Sequence, residues 1–271
     1  MSSLTDSPDF PFSTDSNEAK TSRGIQSVEV GGQLLKALAR GGQRMALKDL
    51  ARAAGMTPAK AHPYLVSFGK LGLIEQDPAS GHYGLGPLAM QLGLISLQQV
   101  DPVRLAIAAL PALAQQLGCT VSVAVWGSGE PIIIRVEEGP TPIHISMRHG
   151  ITASMRHTAT GKVFAAFRAR AEVEAALAQE GHAGELDDPT FAAELDAVRA
   201  SGLSRVQDEL LRGISGLAAP VFDGFGQLAL VIAAIGPSHQ LQLLPDSPQA
   251  RALVQLAREL SLRLGAPAFP G

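Results

Sequence analysis

Apolar residues recur at helical spacing in the first third of the chain. One such set runs from Ser27 to Leu38 and a second from Leu47 to Ala54, and glycine follows each of them. Spacings of three and four residues predict amphipathic helices, and glycine is a common helix stop. Gly31 and Gly32 weaken the first prediction, because glycine disfavours helix interiors.

A third helix is predicted from its start signal. Thr57 suits the N-cap position and Pro58 the first helical position, and the apolar pattern continues to Leu71 before Gly72. Pro63 lies inside this helix and removes a backbone donor, at a cost of about 3 kcal/mol in a regular helix. The helix is therefore expected to kink there or to begin with an irregular turn.

Two short strands, 73–76 and 82–85, flank the turn-forming residues 77–81. Two helices joined by a tight turn and followed by a β-hairpin are the order of a winged helix-turn-helix. We expect Leu50, Leu65 and Leu71 to fill the core of this domain.

The rest of the chain mixes helical and strand patterns. A linking helix is predicted up to Gln99, with Leu88, Leu92 and Ile95 on its apolar side. Alternating segments beyond it indicate an antiparallel sheet with helices packed on it, which makes the fold class α+β. The predicted strands are 120–126, 131–136, 144–147, 214–222 and 227–235, and the predicted helices are 102–117, 160–179, 191–200 and 249–264.

The pattern divides the chain into four parts. Residues 1–22 have no apolar periodicity and are predicted to be a disordered tail. Residues 23–86 form the winged helix-turn-helix, 87–101 the linking helix, and 102–271 the larger second domain.

Charge differs between these parts. Residues 20–83 carry nine basic and four acidic side chains, about +5, within a chain of net charge -3. A basic first domain on an acidic body indicates a polyanion partner for the first domain alone. The single cysteine excludes an internal disulfide, and the chain shows neither a membrane-spanning apolar run nor a signal-peptide pattern at Met1. We expect a cytoplasmic protein without membrane partners.

The start of the third helix is the predicted DNA reader, since helix N-terminal side chains reach base edges in the major groove. Lys48, Arg52 and His82 are assigned to phosphate contacts. The candidate reading residues are Thr57, Pro58, Ala59, Lys60, His62 and Tyr64. The alternative is a small protein-interaction domain with a solvated basic face.

Five motifs in order make the chain resemble the IclR family of bacterial transcription regulators. They are Asp49-Leu50-Ala51 with Gly55-Met56-Thr57-Pro58, residues 69–74, residues 81–86, residues 158–162, and residues 213–223. The resemblance implies a winged-helix domain, a linking helix, a GAF-like effector domain, and dimers or tetramers. Two departures put the geometry of DNA contact in doubt: Pro63 stands where the family commonly has Arg, and Gly84 where it often has a basic residue.

The turn before the predicted 160–179 helix is the candidate effector site. Donors at a helix N-terminus bind anions, and Gly216 leaves space nearby. The resemblance implies small organic acids at Ala159, Thr160 and Gly216, with acidic residues around Asp208 helping. The candidate residues are Thr158, Ala159, Thr160, Gly161, Asp208, Ile214, Ser215 and Gly216. The alternative is that residues 158–161 are only a cap and packing turn.

Other chemistry is weak in the sequence. Cys119 fits a buried structural residue better than a nucleophile, and His144, His149 and His157 match no tight metal-ligand spacing. Gly161-Lys162 lacks the remainder of a phosphate loop. We therefore expect no cofactor, no metal and no enzymatic activity. An enzyme anchored by its helix-turn-helix is the competing hypothesis.

Overall fold

A computed structural model describes residues 24–140, 150–267 and 269, without the side chains of Leu97 and Gln98. The predicted tail, the 144–147 strand and the side chains of His144 and His149 lie outside these residues. The chain divides into two compact units between Leu94 and Ile95. In the described part of the chain, no helix is long and apolar enough to cross a bilayer.

The first unit has the predicted helix-turn-helix and wing. Its elements are α1 (Gln26–Gly41), α2 (Leu47–Ala53), α3 (Pro58–Leu71), β1 (Ile74–Gln76) and β2 (Tyr83–Leu85). β1 and β2 pair antiparallel, and Met45 exchanges two backbone hydrogen bonds with Tyr83, at 2.9 and 2.8 Å. The core lies between the three helices and the wing, around Leu34, Leu50, Leu65 and Ile74. Leu71, predicted to be buried, is 60% exposed because it ends α3 beside Gly72.

Two features that weakened the helix predictions have local explanations. α1 is continuous through Gly31, where a Cβ would stand 2.8 Å from a ring carbon of Tyr64, so glycine lets α3 approach α1 closely. α3 is also continuous, with Pro63 inside it, and Thr57 caps its first turn by accepting from the Lys60 N–H. The helix therefore begins with a capped first turn and continues through Pro63.

α4 (Pro87–Gln99) crosses from the first unit into the second. The predicted apolar side is not covered: Met90, Leu92, Leu94 and Ile95 are 69%, 51%, 52% and 42% exposed. Leu88, the other residue of the predicted apolar side, is half-buried.

The second unit is an antiparallel five-stranded sheet in the order β4-β3-β7-β6-β5, with helices on both faces. Its strands are β3 (Thr120–Gly127), β4 (Glu130–Glu137), β5 (Ser204–Gln207), β6 (Ile214–Phe222) and β7 (Leu228–Pro237). Its helices are α5 (Pro102–Leu117), α6 (Ala159–Phe167), α7 (Arg170–Gln179), α8 (Pro189–Ser201) and α9 (Pro248–Arg263). α5 and α9 cover one face, and α6, α7 and α8 cover the other.

Two details of this unit differ from the sequence prediction. The single helix expected over 160–179 is two helices, because Arg168 is extended and lies 5.2 Å from the ring centroid of Trp126 while pairing with Glu172. The edge strand β5 was not predicted. It has four residues, two of them exposed, and its pattern is too short to distinguish it from a loop.

Candidate functional site

The start of α3 and the exposed side of α2 form one basic face of the first unit. Lys60 and His62 on α3 are exposed, as are Lys48 and Arg52 on α2. Arg52 forms an ion pair with Asp49 on its own helix, whereas Lys48 and Lys60 have no ion-pair partner among the described residues. Thr57, Pro58 and Ala59 are also exposed. The hydroxyl of Thr57 is engaged in the helix cap, so it has less capacity to meet a base.

Two of the candidate DNA-binding residues are more enclosed than predicted. Tyr64 is half-buried and its ring packs against α1 at Gly31, so its main contact is within the domain. His82 is also half-buried, at the entry to β2, and its backbone closes the wing turn with Asp77 and Ser80. The Ser80 hydroxyl and the Ala79 N–H lower the pKa of the Asp77 carboxyl and fix this turn.

Gly84 is the wing position that lacks a basic residue, and the side chain of Arg44 lies across it. A Cβ at Gly84 would stand 2.9 Å from Cγ of Arg44, so the arginine stem runs across the space that a side chain at Gly84 would fill. Arg44 precedes the Met45 bridge and pairs with Glu75 on β1. The departure at Gly84 therefore leaves a cation at the wing, supplied by the α1–α2 connection.

A cavity of about 610 Å³ opens between the first turn of α6 and the sheet. A Cβ at Gly216 would lie 3.5 Å from Cβ of Ala159, so the α6 N-terminus sits directly over this glycine of β6. The lining includes six of the eight predicted residues, namely Thr158, Ala159, Thr160, Ile214, Ser215 and Gly216. The sheet contributes Ser122, Ile133, Ala233 and Ile235, and the loop before β6 contributes Leu210 and Leu211.

The turn before α6 is both a cap and a cavity wall. The Thr158 hydroxyl accepts from the Gly161 N–H at 2.9 Å and donates to the Ser154 carbonyl at 2.7 Å. In contrast, the hydroxyl of Thr160 has no hydrogen-bond partner among the described residues, although Thr160 is only 6% exposed. Thr160 is therefore the hydroxyl of this turn that is free for a ligand.

Three of the eight predicted effector-site residues have structural roles. Gly161 does not line the cavity, and a Cβ there would stand 2.0 Å from the Ser154 carbonyl oxygen, so glycine permits close packing. Ser215 contributes to the lining, but its hydroxyl bonds to Ser238 at 2.9 Å.

Asp208 is likewise outside the lining. Its carboxylate accepts from the Ser238 hydroxyl and the Gly213 N–H, which lower its pKa. These bonds fix the loop that carries Leu210 and Leu211.

Two imidazoles on the cavity wall were not recognised as ligand contacts from the sequence. The rings of His157 and His182 stand edge to face, with centroids 5.0 Å apart, and both residues line the cavity. Glu180 lies beside them and is occupied by the Ser154 hydroxyl and the Met155 N–H, at 2.8 and 2.7 Å. No lysine or arginine is among the described lining residues, which also include Glu130 and Glu180.

A buried ion cluster lies next to this wall. Lys162 is 3% exposed, and its Nζ stands 2.7 Å from a carboxylate oxygen of Glu209 and 2.8 Å from one of Glu194. Arg156 pairs with Glu185 in the same cluster. Because Glu209 follows Asp208, the lysine ties the Leu210–Leu211 loop to α6. The sequence contains a signal for this cluster, because Lys162 stands among apolar residues of α6. A buried lysine requires an anionic partner.

The remaining candidate chemistry has structural explanations. Cys119 is buried at the start of β3, and desolvation raises the pKa of its thiol to about 11. No cluster of three or more metal-ligating side chains occurs in the described ranges 24–140, 150–267 and 269.

The architecture is that of a winged-helix regulator with a separate sensor-type domain. Sequence comparisons identify the family of regulators to which it belongs. Residues 27–78 match the IclR helix-turn-helix domain, and residues 95–262 match the C-terminal domain of the bacterial transcriptional regulator IclR. The chain belongs to the IclR family. It is a transcription regulator with a DNA-binding helix-turn-helix and a C-terminal effector domain, and it is not an enzyme.

Relatives match over almost the whole chain. The glycerol operon regulatory protein of Streptomyces griseus is 31% identical over 257 residues, covering 91% of this chain and 99% of the relative. The transcriptional repressor IclR of Escherichia coli K12 is 26% identical over 248 residues, covering 89% and 90%. The crystal structure of Pseudomonas aeruginosa HmgR superposes with a TM-score of 0.78 at 33% identity, covering 89% of this chain and 99% of that one. The predicted family and fold class are thus confirmed.

Proposed function

We propose that the protein is a ligand-responsive cytoplasmic regulator whose second unit binds a small organic acid in the cavity below α6. The observation that carries this proposal is the Thr160 hydroxyl on the first turn of α6, which has no hydrogen-bond partner among the described residues and belongs to a residue only 6% exposed. Backbone N–H groups in a first helical turn have no intrahelical acceptor, and the helix dipole favours a negative charge there. The imidazoles of His157 and His182 add ring N–H donors on the same wall.

The apolar part of the cavity supports a ligand with little other charge. Ile133, Ala233, Ile235 and Leu210 line it, and such walls exclude water and strengthen each hydrogen bond to the ligand. The loop held by Asp208 and the Lys162–Glu209 ion pair would support this wall rather than contact the acid.

The test is the binding of a simple acid, with butanoate as the first probe, to the full-length protein by calorimetry or ligand-observed NMR. Thr160→Val keeps the shape and removes the hydroxyl, so the affinity should fall by about 1 kcal/mol, roughly fivefold. Gly216→Leu should abolish binding by filling the cavity below Ala159. Unchanged binding by both variants would place the site elsewhere.

DNA contact is proposed at the exposed start of α3, with Lys60 as the central cation and Lys48 on α2 and Arg44 at the wing on phosphate. If Lys60 contacts phosphate only, Lys60→Ala should weaken binding equally on all duplexes and reduce the salt dependence of log K by about 1. Lys70→Ala, at the far end of the same helix, is the matched control and should bind as the parent does. Equal binding by both variants would contradict this docking.

We also propose that the protein self-associates through α4. Its exposed apolar side chains, among them Met90, Leu92 and Leu94, need covering, and paired half-sites in DNA require two-fold protein symmetry. A second copy of the chain is the proposed cover, giving a dimer or tetramer. Leu92→Glu should shift the mass measured by light scattering toward the monomer, and a parent protein that is already monomeric would refute the assignment.

A further inference from the structure

The sheet wall of the cavity carries a hydroxyl that the fold leaves without a partner. Ser122 lies in the middle of β3 and is 2% exposed, yet its hydroxyl has no hydrogen-bond partner in the described part of the chain. Side chains alternate along a strand, so Ser122 shares a face with Ala124, which belongs to the apolar cluster under α6. Its hydroxyl therefore points to the cavity side of the sheet.

The strand register fixes where Ser122 stands relative to the α6 N-terminus. Ser122 pairs with Ala233, while Gly216 pairs with Ile235, so the serine and the glycine are two strands apart across the sheet and two residues apart along it. Two strand spacings are about 9.5 Å and two residues along a strand about 6.8 Å. Because Ala159 sits over Gly216, the first turn of α6 and Ser122 lie at two separate points of the cavity lining.

The surface between these two points is apolar. Ala233 and Ile235 of β7 lie between the two strands, and Ile133 of β4 lines the cavity beyond Ser122. A ligand that reaches from α6 to Ser122 must cross this surface, where a polar group in its middle would find no partner among these side chains.

We propose that Ser122 is a second polar contact of the effector site, so that the ligand is a two-ended acid. Its carboxylate lies at the α6 N-terminus, its apolar body crosses Ala233 and Ile235, and a hydroxyl or comparable hydrogen-bonding group at its far end meets Ser122. This inference rests on the carboxylate site proposed above and adds the length and the far-end chemistry of the ligand.

The physical basis for discrimination is the unmet hydrogen bond. A ligand with an apolar far end strips water from the Ser122 hydroxyl and gives nothing in return, whereas a ligand hydroxyl replaces the lost bond. One net hydrogen bond of this kind corresponds to about a fivefold change in affinity.

The experiment compares unbranched acids from butanoate to octanoate with the same acids bearing a terminal hydroxyl, each titrated into the full-length protein. The hydroxyl should raise the affinity about fivefold at the chain length that spans the two points, and at shorter lengths it should not. In Ser122→Ala this gain should vanish, because a plain acid of spanning length no longer leaves a buried hydroxyl without a partner.

Ser204→Ala is the matched control. Ser204 lies in the same cross-strand row, on β5, and is 1% exposed with a fully enclosed, unpartnered hydroxyl, but it does not line the cavity. It should keep the hydroxyl gain. The inference is overturned if the gain persists in Ser122→Ala, or if no chain length shows a gain while Thr160→Val still weakens the plain acids. Failure of every acid to bind the parent would instead refute the carboxylate site, and this inference with it.

Discussion

The two faces of the five-stranded sheet are built from alternating residues of the same strands, yet one is solid and the other encloses a cavity. On the face below α5 and α9, β3 and β7 contribute Val121, Val123, Leu230 and Ile232, all fully buried. On the other face, several positions of β3, β6 and β7 hold small residues, beside the larger Val231 and Ile235. The small residues include Ser122, Ala124, Gly216, Ala218 and Ala233. A binding site arises here because small side chains leave volume that the helices do not fill, and not because a strand is displaced.

The largest expected effect tests how the cavity face is held together. Lys162→Met removes the buried cation that Glu209 and Glu194 share and leaves these two carboxylates with Arg156, at 3.6 and 3.8 Å. Breaking such a buried pair costs about 3–5 kcal/mol of unfolding free energy, measurable by urea denaturation. Arg170→Met, at an exposed ion pair with Glu174 and Asp187, is the control and should cost under about 1 kcal/mol. Similar costs for both variants would mean that the cluster does not stabilise the loop.

The next effect compares the two faces along one strand. Ile232→Ala empties a fully buried position on the solid face and should cost about 3–4 kcal/mol. Ile235→Ala, on the same strand but half-buried beside the cavity, should cost about 1–2 kcal/mol because no new void is enclosed. If the two costs are equal in thermal or urea unfolding, the cavity is closed and packed in solution.

Thiol chemistry distinguishes the faces independently of stability. Cys119 belongs to the solid face, and its pKa of about 11 keeps it protonated at pH 8, where alkylation needs the thiolate. The thiol has a pKa near 8.5 in an unfolded chain. Alkylation of Cys119 in the folded protein should therefore be slower than in the unfolded protein by about a hundredfold or more. In a Cys119→Ser background, Ser122→Cys places the thiol on the cavity wall and should label faster. Rapid native labelling of Cys119 itself would show that the solid face opens.

The smallest effect has the opposite sign. Gly216→Ala adds a methyl group at ordinary contact distance from Ala159, 3.5 Å, and reduces the freedom of the unfolded chain. It should raise the unfolding free energy by about 0.5 kcal/mol and the melting temperature by about one or two degrees. Destabilisation by more than about 1 kcal/mol would mean that α6 lies closer to β6 than the structure has it.

The sequence predicts best where local chemistry decides the outcome. Thr57-Pro58 and Asp101-Pro102 give real helix starts, because a capping oxygen and a proline act within one turn. The break between α6 and α7 has no such local signal. It depends on Arg168 meeting Trp126, which lies on a strand forty residues earlier in the chain.

The candidate effector site shows the same limit. The turn at Thr158 and the space at Gly216 were predicted, because a cap pattern and a glycine are visible in one segment. Ser122 was not, since the face of a strand residue gains meaning only from the register of its neighbours. Lys162 was considered only as part of a phosphate loop, and its partners Glu194 and Glu209 are 32 and 47 residues away.

The Met45–Tyr83 pair limits where residues can be inserted into this domain. Because the α1–α2 connection is hydrogen-bonded to the wing, the spacing between Gly42 and Met45 is locked, and an inserted residue there would shift the pairing and carry Arg44 away from Gly84. The hydrogen bonds of the turn from Asp77 to Gly81 lie within the wing itself and do not tie it to the helices. Insertions should therefore accumulate at the wing tip, so that the reach of the wing can be changed without altering the frame that orients α3.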